Sequence, residues 1–260
     1  IYMRLDRLNA MEHFVLQNGT ATLEDLAKQF SVSANTIRRD VSELLDRGRI
    51  KKVYGGVAVN TPQNPLPISV RSSKCAAEKL LIGRLAATLV EDNSTIFLDS
   101  GSTTVTLLAN IAGRQQITMV THSLPAMYEA SKYENLKVVA LGGIYNAATS
   151  SYFGVSTIET LSRMSVNTVF IAATGVSLEH GLTNTTYLEA EIKRCITARE
   201  RRVVLMADHT KFGSSYMITF CNFEKLAAVV TDRLPPEPFM EVIQRKGIQL
   251  LCPETMPDFL

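Results

Sequence analysis

Apolar side chains near the N-terminus recur at helical spacing in three successive segments. The first lies within residues 4–17, the second within residues 23–30 and the third within residues 34–47. A three-residue turn separates the second segment from the third, and this spacing predicts a helix-turn-helix. The first helix would complete the small core that such a pair needs.

The third segment has the sequence of a capped amphipathic helix. Ser33 can accept a hydrogen bond from a free amide of the first turn, and Gly48 suits the left-handed residue that ends a helix. One face of this helix is apolar and is predicted to lie against a core; it consists of Ile37, Val41, Leu44 and Leu45.

The opposite face of the third helix is polar and carries Asn35, Arg39 and Ser42, with Arg38 beside them. An Asn side chain can form two hydrogen bonds with adenine, and an Arg side chain can do so with guanine. This face therefore has the chemistry to read base edges in a DNA major groove. The alternative is an ordinary solvated surface, but the helix-turn-helix context favours DNA binding.

A basic hairpin is predicted directly after the third helix. Residues 49–53 and 57–59 have the pattern of strands, and Gly55-Gly56 between them suits a tight turn. Lys51 and Lys52 lie in the first strand. A helix-turn-helix followed by such a hairpin is a winged helix.

These motifs closely resemble the DNA-binding end of DeoR-type bacterial repressors. The string from Thr36 to Val41, Thr-Ile-Arg-Arg-Asp-Val, sits at the matching point of the helix-turn-helix, and Tyr-Gly-Gly-Val follows in the hairpin. The resemblance implies that Arg38, Arg39 and their neighbours contact operator DNA, and that Lys51 and Lys52 contact its phosphates. The candidate DNA-binding residues are Ser33, Asn35, Thr36, Arg38, Arg39, Ser42, Lys51, Lys52 and Tyr54. Asp40 would repel phosphate, so we expect it to pair with a nearby arginine.

The charge of the chain is nearly balanced, with a formal net charge of +2. The excess is local, because residues 1–60 contain nine Lys and Arg against seven Asp and Glu. One such winged helix offers few phosphate contacts. We therefore expect a homo-oligomer, a dimer or a tetramer, that binds paired half-sites on double-stranded DNA.

Three prolines within six residues, Pro62, Pro65 and Pro67, mark a domain boundary. We predict a DNA-binding domain at residues 1–59, a linker at residues 60–73 and an effector domain at residues 74–260. The four cysteines are widely spaced, which is typical of reduced thiols. No signal-peptide pattern is evident, and no apolar run approaches the roughly 20 residues that span a bilayer. We expect a cytoplasmic protein with no membrane segment, no metal and no cofactor.

Beyond this boundary, apolar β-branched runs alternate with helical stretches. Strands that are apolar throughout and joined by helices indicate an α/β domain with a mostly parallel sheet covered on both faces. The predicted strands are residues 95–98, 117–121, 137–141, 168–172, 203–207, 227–231 and 248–251. Such sheets bind ligands at the carboxyl ends of their strands.

The first predicted strand ends in a sequence suited to an anion. Asp99 and Ser100 are followed by Gly101, and then by three hydroxyl side chains, Ser102, Thr103 and Thr104, before an apolar helix through residue 112. A glycine allows close approach of the backbone, and a helix N-terminus supplies free amides. The alternative is an ordinary strand-to-helix turn. The Gly-Lys-Ser/Thr ending of a nucleotide-hydrolysing loop is absent.

Polar groups and glycines at later strand ends should meet at the same edge of the sheet. They are Gly142, Gly143, Thr174, Glu189, Glu191 and Lys211. Lys211 could contact a phosphate, and the carboxylates suit sugar hydroxyls. Either glutamate could instead form a salt bridge along its helix with Lys193 or Arg194.

The order of these motifs resembles the effector domain of DeoR-type regulators, which looks like ribose-5-phosphate isomerase and the CoA transferases in fold. The resemblance implies a sensor for a phosphorylated sugar, with Ser100 to Thr104 around the phosphate. The alternative is a sugar-phosphate isomerase joined to a DNA-binding domain. Isomerases that resemble this fold place aspartates after the fourth strand, where this chain has Ala-Thr-Gly at residues 173–175. We therefore expect a ligand-controlled repressor of a carbohydrate operon and no catalysis.

Overall fold

Among the residues that the structure describes, three helices and a three-stranded sheet form the N-terminal part of the chain. The computed structural model describes residues 4–18, 20–46, 50–53, 55–59, 67–199 and 202–257. The chain divides into two compact units, Ile1–Gln63 and Asn64–Leu260. Of the sequence predictions, Gly48, Tyr54 and residues 60–66 lie outside the described residues.

The first unit is a winged helix. The antiparallel sheet has the order β1-β3-β2, and β2 with β3 forms the predicted hairpin. Strand β1 was not predicted. The elements are α1 (Arg4–Asn18), β1 (Thr20–Thr22), α2 (Leu23–Phe30), α3 (Ala34–Asp46), β2 (Ile50–Val53) and β3 (Gly56–Val59).

Sequence-local signals explain the helices of this unit. Thr22 caps α2 by accepting a hydrogen bond from the Asp25 amide at 3.0 Å, and the Asp25 carboxylate accepts one from the Thr22 amide at 3.3 Å. The predicted apolar face of α3 lies in a core shared with α1 and the hairpin. The core includes Leu8, Met11, Val15, Leu26, Ile37, Leu44, Ile50 and Val57.

The second unit is an α/β domain. Its elements are α4 (Ile68–Ser73), α5 (Ala76–Ala87), β4 (Thr95–Leu98), β5 (Ile117–Thr121), α6 (Leu124–Ala130), β6 (Leu136–Ala140), β7 (Ile144–Asn146), β8 (Ser151–Phe153), α7 (Val155–Ser162), β9 (Thr168–Ile171), β10 (Gly175–Ser177), β11 (Gly181–Asn184), α8 (Tyr187–Arg199), β12 (Val203–Met206), β13 (Ile218–Cys221), β14 (Leu226–Val230), α9 (Glu237–Arg245) and β15 (Gln249–Leu251).

All seven predicted strands form one parallel sheet, in the order β15-β14-β12-β9-β4-β5-β6. Separate apolar clusters cover its two faces, with Phe97 and Val120 on one side and Leu98 and Met119 on the other. β4 and β9 are neighbours in the sheet. The chain continues from β4 to β5 and β6 on one side, and from β9 to β12, β14 and β15 on the other. The crevice at their carboxyl ends is therefore the topological switch point, where open α/β sheets bind ligands.

Three features differ from the sequence predictions. Residues 68–73, assigned to the linker, form helix α4, because the last of the three prolines precedes its first turn. The helix expected through residue 112 is a 3-10 helix, Thr104–Asn110. An antiparallel sheet β10-β11-β13 and a hairpin β7-β8 were not predicted, since their strands are only three or four residues long.

Candidate functional sites

Helix α3 presents its polar face to solvent. Asn35, Arg38, Arg39 and Ser42 are all exposed. The Arg38 guanidinium donates to the Asn35 side-chain oxygen at 3.2 Å, so these two side chains are held together. Arg39 is exposed in the next position along the helix.

Ser33 caps α3, as its position predicts. Its hydroxyl accepts a hydrogen bond from the Thr36 amide at 3.3 Å, and the two hydroxyl oxygens are 2.9 Å apart. Lys51 and Lys52 are exposed on β2. The cap fixes the start of α3, and the hairpin supplies the two cations.

Asp40 connects α3 with α1 beneath this exposed face. Its side chain is 2% exposed, and its carboxylate lies 2.7 Å from Nε of Arg7 and 3.9 Å from Nε of Arg4. The hydrogen bond to Asp40 raises the pKa of Arg7. The arginine partner expected for Asp40 therefore belongs to α1, and the negative charge is kept away from the exposed face of α3.

The switch point of the second unit holds a buried ion pair. Oδ2 of Asp99, which follows β4, lies 3.1 Å from Nζ of Lys193 on α8. The same carboxylate oxygen accepts a hydrogen bond from the Ala172 amide, at the end of β9, at 3.1 Å. Lys193 also donates to the Ala172 carbonyl at 2.6 Å and to the Asn184 side-chain oxygen at 3.2 Å. Asp99 and Lys193 thus join β4, β9, β11 and α8 at one point.

The loop after Asp99 presents unused backbone donors. Within the described part of the chain, the amides of residues 100–103 donate to no backbone or side-chain acceptor. Ser100, Gly101 and Thr103 are buried, and Ser102 is partly exposed. Successive free amides in a loop form a concave anion-binding surface. The Thr104 hydroxyl instead points inward, where it donates to the carbonyls of Asp99 at 2.7 Å and Gly101 at 2.8 Å.

Gly101 has a packing role that the sequence did not reveal. The sequence predicted a glycine here because it allows close approach of the backbone to an anion. In addition, a Cβ at this position would lie 2.5 Å from the Cβ of Ala172. The glycine is required because β4 and β9 bring these two residues into contact.

The two glutamates of α8 have local partners. Glu189 is buried and accepts a hydrogen bond from the Thr186 hydroxyl at 2.8 Å. Glu191 forms a salt bridge with Arg194, which is the alternative that the sequence left open. Neither contact points to a sugar.

The remaining predicted residues are spread along the edge. Lys211 is partly exposed, and its Nζ lies 3.9 Å from the buried carboxylate of Asp208. The Thr174 amide donates to the Thr183 carbonyl at 3.0 Å. Gly142 accepts a hydrogen bond from the Thr157 hydroxyl at 2.6 Å. Gly143 has a φ of +143°, and a Cβ there would lie 2.5 Å from the Phe153 carbonyl oxygen, so this glycine serves local packing.

Sequence reasoning missed three residues near this edge. Lys193 was considered only as a helix-surface cation, and His122 was not considered at all. Lys79 is also buried, and its Nζ donates to the carbonyls of Arg71 and Lys74. Burial lowers the pKa of Lys79, against the opposing charge of Asp208. The one available signal was the position of His122 immediately after a predicted strand.

Family models match both units. The model of the DeoR-like helix-turn-helix domain matches residues 7–63, and that of the DeoR C terminal sensor domain matches residues 74–233. The chain belongs to the DeoR family. This DeoR-family protein is a helix-turn-helix transcriptional regulator with a sensor domain, as its motifs predicted.

Curated relatives agree with this assignment. The DeoR-family chain is 37% identical over 231 residues to the HTH-type transcriptional regulator IolR of Bacillus subtilis. The match covers 89% of this chain and 92% of that protein. It is 30% identical over 247 residues to the glycerol-3-phosphate regulon repressor of Escherichia coli. That match covers 95% of this chain and 98% of the repressor. These relatives are named as regulators, so the expectation of a regulator rather than an isomerase is confirmed.

Among solved structures, this DeoR-family chain is similar to ribose 5-phosphate isomerase A from Methanocaldococcus jannaschii. The TM-score is 0.40 and the identity 18%, over 54% of this chain and 55% of that one.

Among the described residues, no helix is both long and apolar enough to span a bilayer.

Proposed function

We propose that this regulator represses a carbohydrate operon and that a phosphorylated sugar, bound at the switch point of the sensor domain, releases it from DNA. The observation that carries the proposal is the run of unpartnered amides at residues 100–103, beside the Asp99–Lys193 pair. A buried donor without a partner costs about 1–3 kcal/mol, and an anion that accepts from several such donors removes this cost. A phosphate is such an anion.

The sugar part of the effector would bind along the same edge. Asp99 has one carboxylate oxygen, Oδ1, that is buried without a partner among the described residues. A carboxylate oxygen accepts hydrogen bonds from hydroxyl groups, which a sugar supplies. The Escherichia coli relative is named for a glycerol-3-phosphate regulon, which supports a phosphorylated and hydroxylated effector.

The DNA-binding part of the proposal rests on the exposed face of α3. Asn35, Arg38, Arg39 and Ser42 would contact bases, with Thr36 and the Ser33 cap at the helix start. Lys51 and Lys52 would contact phosphates, together with Tyr54, two residues further along the chain. Operator binding would take place in the cytoplasm.

Release must depend on a difference in affinity. An effector that bound equally to the DNA-competent and DNA-incompetent states would not change their ratio. We propose that the effector favours the state that does not fit paired half-sites.

A thermal-shift panel tests the proposal. The probes are glucose 6-phosphate, fructose 6-phosphate, ribose 5-phosphate and glycerol 3-phosphate, each beside its unphosphorylated counterpart. We expect at least one phosphorylated probe to raise the melting temperature and to release a duplex that the protein itself selected from a random pool. An equal response to the unphosphorylated counterparts would contradict a phosphate site.

A charge variant localises the response. Ser102→Asp places a carboxylate beside the free amides, so it should abolish the response to the active probe while operator binding persists. Ser165→Asp makes the same change at an exposed loop position and should respond like the parent. A normal response of Ser102→Asp would place the effector elsewhere.

A further inference from the structure

His122 and Asp99 occupy equivalent positions at the ends of neighbouring strands. Leu98 of β4 is paired with Thr121 of β5, and each candidate residue follows directly. Side chains alternate between the faces of a sheet, so residues two positions apart share a face. Phe97 and Val120 belong to the same apolar cluster. Asp99 and His122 therefore project to that face, side by side.

The imidazole of His122 is held in one orientation by aromatic rings. It is 1% exposed and stacks on Phe97, with ring centroids 5.9 Å apart and an angle of 18° between the planes. It also contacts the ring of Phe153, at 5.6 Å between centroids and in an edge-on arrangement. An imidazole fixed in this way can act as a directional hydrogen-bonding group.

Both residues carry an unused polar atom at this edge. Oδ1 of Asp99 and Nδ1 of His122 are buried and have no hydrogen-bond partner among the residues that the structure describes. Burial lowers the pKa of His122 to about 4, with a smaller opposing effect from Asp99. At neutral pH the ring is therefore uncharged and carries a single N–H.

We infer that Asp99 and His122 together bind one hydroxyl group of the effector, and that His122 is a specificity-determining residue of the sensor site. The inference rests on the proposed sugar-phosphate function. The hydroxyl donates to Asp99 Oδ1 and accepts from the N–H at His122 Nδ1. A carbonyl oxygen has no proton to donate to the carboxylate, so this pair of groups selects a hydroxyl.

The spacing of the strands agrees with a shared hydroxyl. Neighbouring strands lie about 4.8 Å apart. Two hydrogen bonds of about 2.8 Å that meet at one tetrahedral oxygen span about 4.6 Å. One hydroxyl oxygen can therefore reach side chains that project in parallel from β4 and β5.

The experiment compares phosphorylated probes that differ by one hydroxyl. Calorimetry measures the dissociation constants of glucose 6-phosphate, fructose 6-phosphate, ribose 5-phosphate and glycerol 3-phosphate, and then of every monodeoxy analogue of the tightest binder. We expect the parent protein to bind one analogue at least tenfold more weakly than the full probe, because the missing hydroxyl leaves both buried groups unpaired. His122→Phe keeps a ring against Phe97, and in this variant the dissociation constants of the same analogue and the full probe should differ by less than about threefold.

Two further variants complete the test. His122→Asn keeps an amide donor near the place of Nδ1, so it should retain the discrimination of the parent. His180→Asn makes the same change at an exposed histidine and should behave like the parent. The inference is overturned if His122→Phe discriminates as the parent does, or if the parent binds all monodeoxy analogues equally. If the parent binds none of the phosphorylated probes, the proposed function itself fails, and the inference fails with it.

Discussion

The Lys193 ammonium lies 3.1 Å from the Asp99 carboxylate, and the two side chains are 5% and 0% exposed. The pair closes the switch point between β4 and β9 and ties helix α8 to it. Breaking a buried pair on one side leaves an uncompensated charge, which costs about 3–5 kcal/mol.

We expect Lys193→Met to lower the free energy of unfolding by about this amount, as measured by urea denaturation. The double variant Asp99→Asn, Lys193→Met should cost less than the sum of the two single changes, since it leaves neither charge alone. Lys132→Met removes an exposed partner of Glu129, which solvent screens, and should change the free energy of unfolding little. Equal losses for Lys193→Met and Lys132→Met would contradict a structural role for the buried pair.

Gly101 gives a prediction from packing alone. A Cβ at this position would lie 2.5 Å from that of Ala172. Gly101→Ala should therefore destabilise the sensor domain by about 1–3 kcal/mol, measured as a lower melting temperature. Ala172→Gly in the same chain should restore most of the loss, because it removes the atom that collides. Gly113, with no atom within 4 Å of a Cβ, is the control position for the same change. No rescue by Ala172→Gly would show that the clash is not the cause.

The low pKa of His122 predicts an acid-sensitive sensor domain. Its pKa is about 4 in the folded protein and 6.5 in the unfolded chain, so the unfolded state binds the proton more readily. The stability that the folded protein has with a neutral His122 is fully present above pH 6.5 and is lost as the pH falls towards 4. Between pH 7.5 and pH 5.0 the free energy of unfolding should fall by about 2 kcal/mol.

His122→Phe should remove that pH dependence, and His180→Asn should not. Urea unfolding of the parent and both variants at the two pH values gives the comparison. The prediction would be wrong if the parent and His122→Phe lost equal stability on acidification.

The exposed face of α3 and the hairpin should affect DNA binding differently. Arg39→Ala should cost about 1–3 kcal/mol of affinity for the selected duplex and relax its sequence preference, because a base contact is lost. Lys52→Ala should weaken all duplexes alike and reduce the slope of log affinity against log salt by about 0.9. Fluorescence anisotropy over a salt series separates the two, with Lys132→Ala as control. Unchanged binding by a folded Arg39→Ala protein would remove α3 from the interface.

The small basic footprint of a single winged helix predicts an oligomer. Sedimentation at micromolar concentration should show a dimer or a tetramer, and footprinting should show paired half-sites about one helical turn or a multiple of it apart. A monomer that protects one half-site would contradict this.

The sequence by itself determined what depends on near neighbours in the chain. The Thr22–Asp25 capping box and the Ser33 cap act over three residues, so their motifs are visible in the sequence. The seven strands of the parallel sheet were predicted to within one residue at each end, because continuous apolar runs are themselves the condition for burial on both faces. The same local strings identified the DeoR family.

Only the tertiary structure decided which of these residues meet. The order of strands places Ala172 against Gly101 and brings Lys193 to Asp99, although each pair is far apart in the chain. The burial of His122 depends on rings from β4 and β8. Periodicity reports which face of an element is apolar but not which elements become neighbours, because that choice is made by the packing of the whole domain.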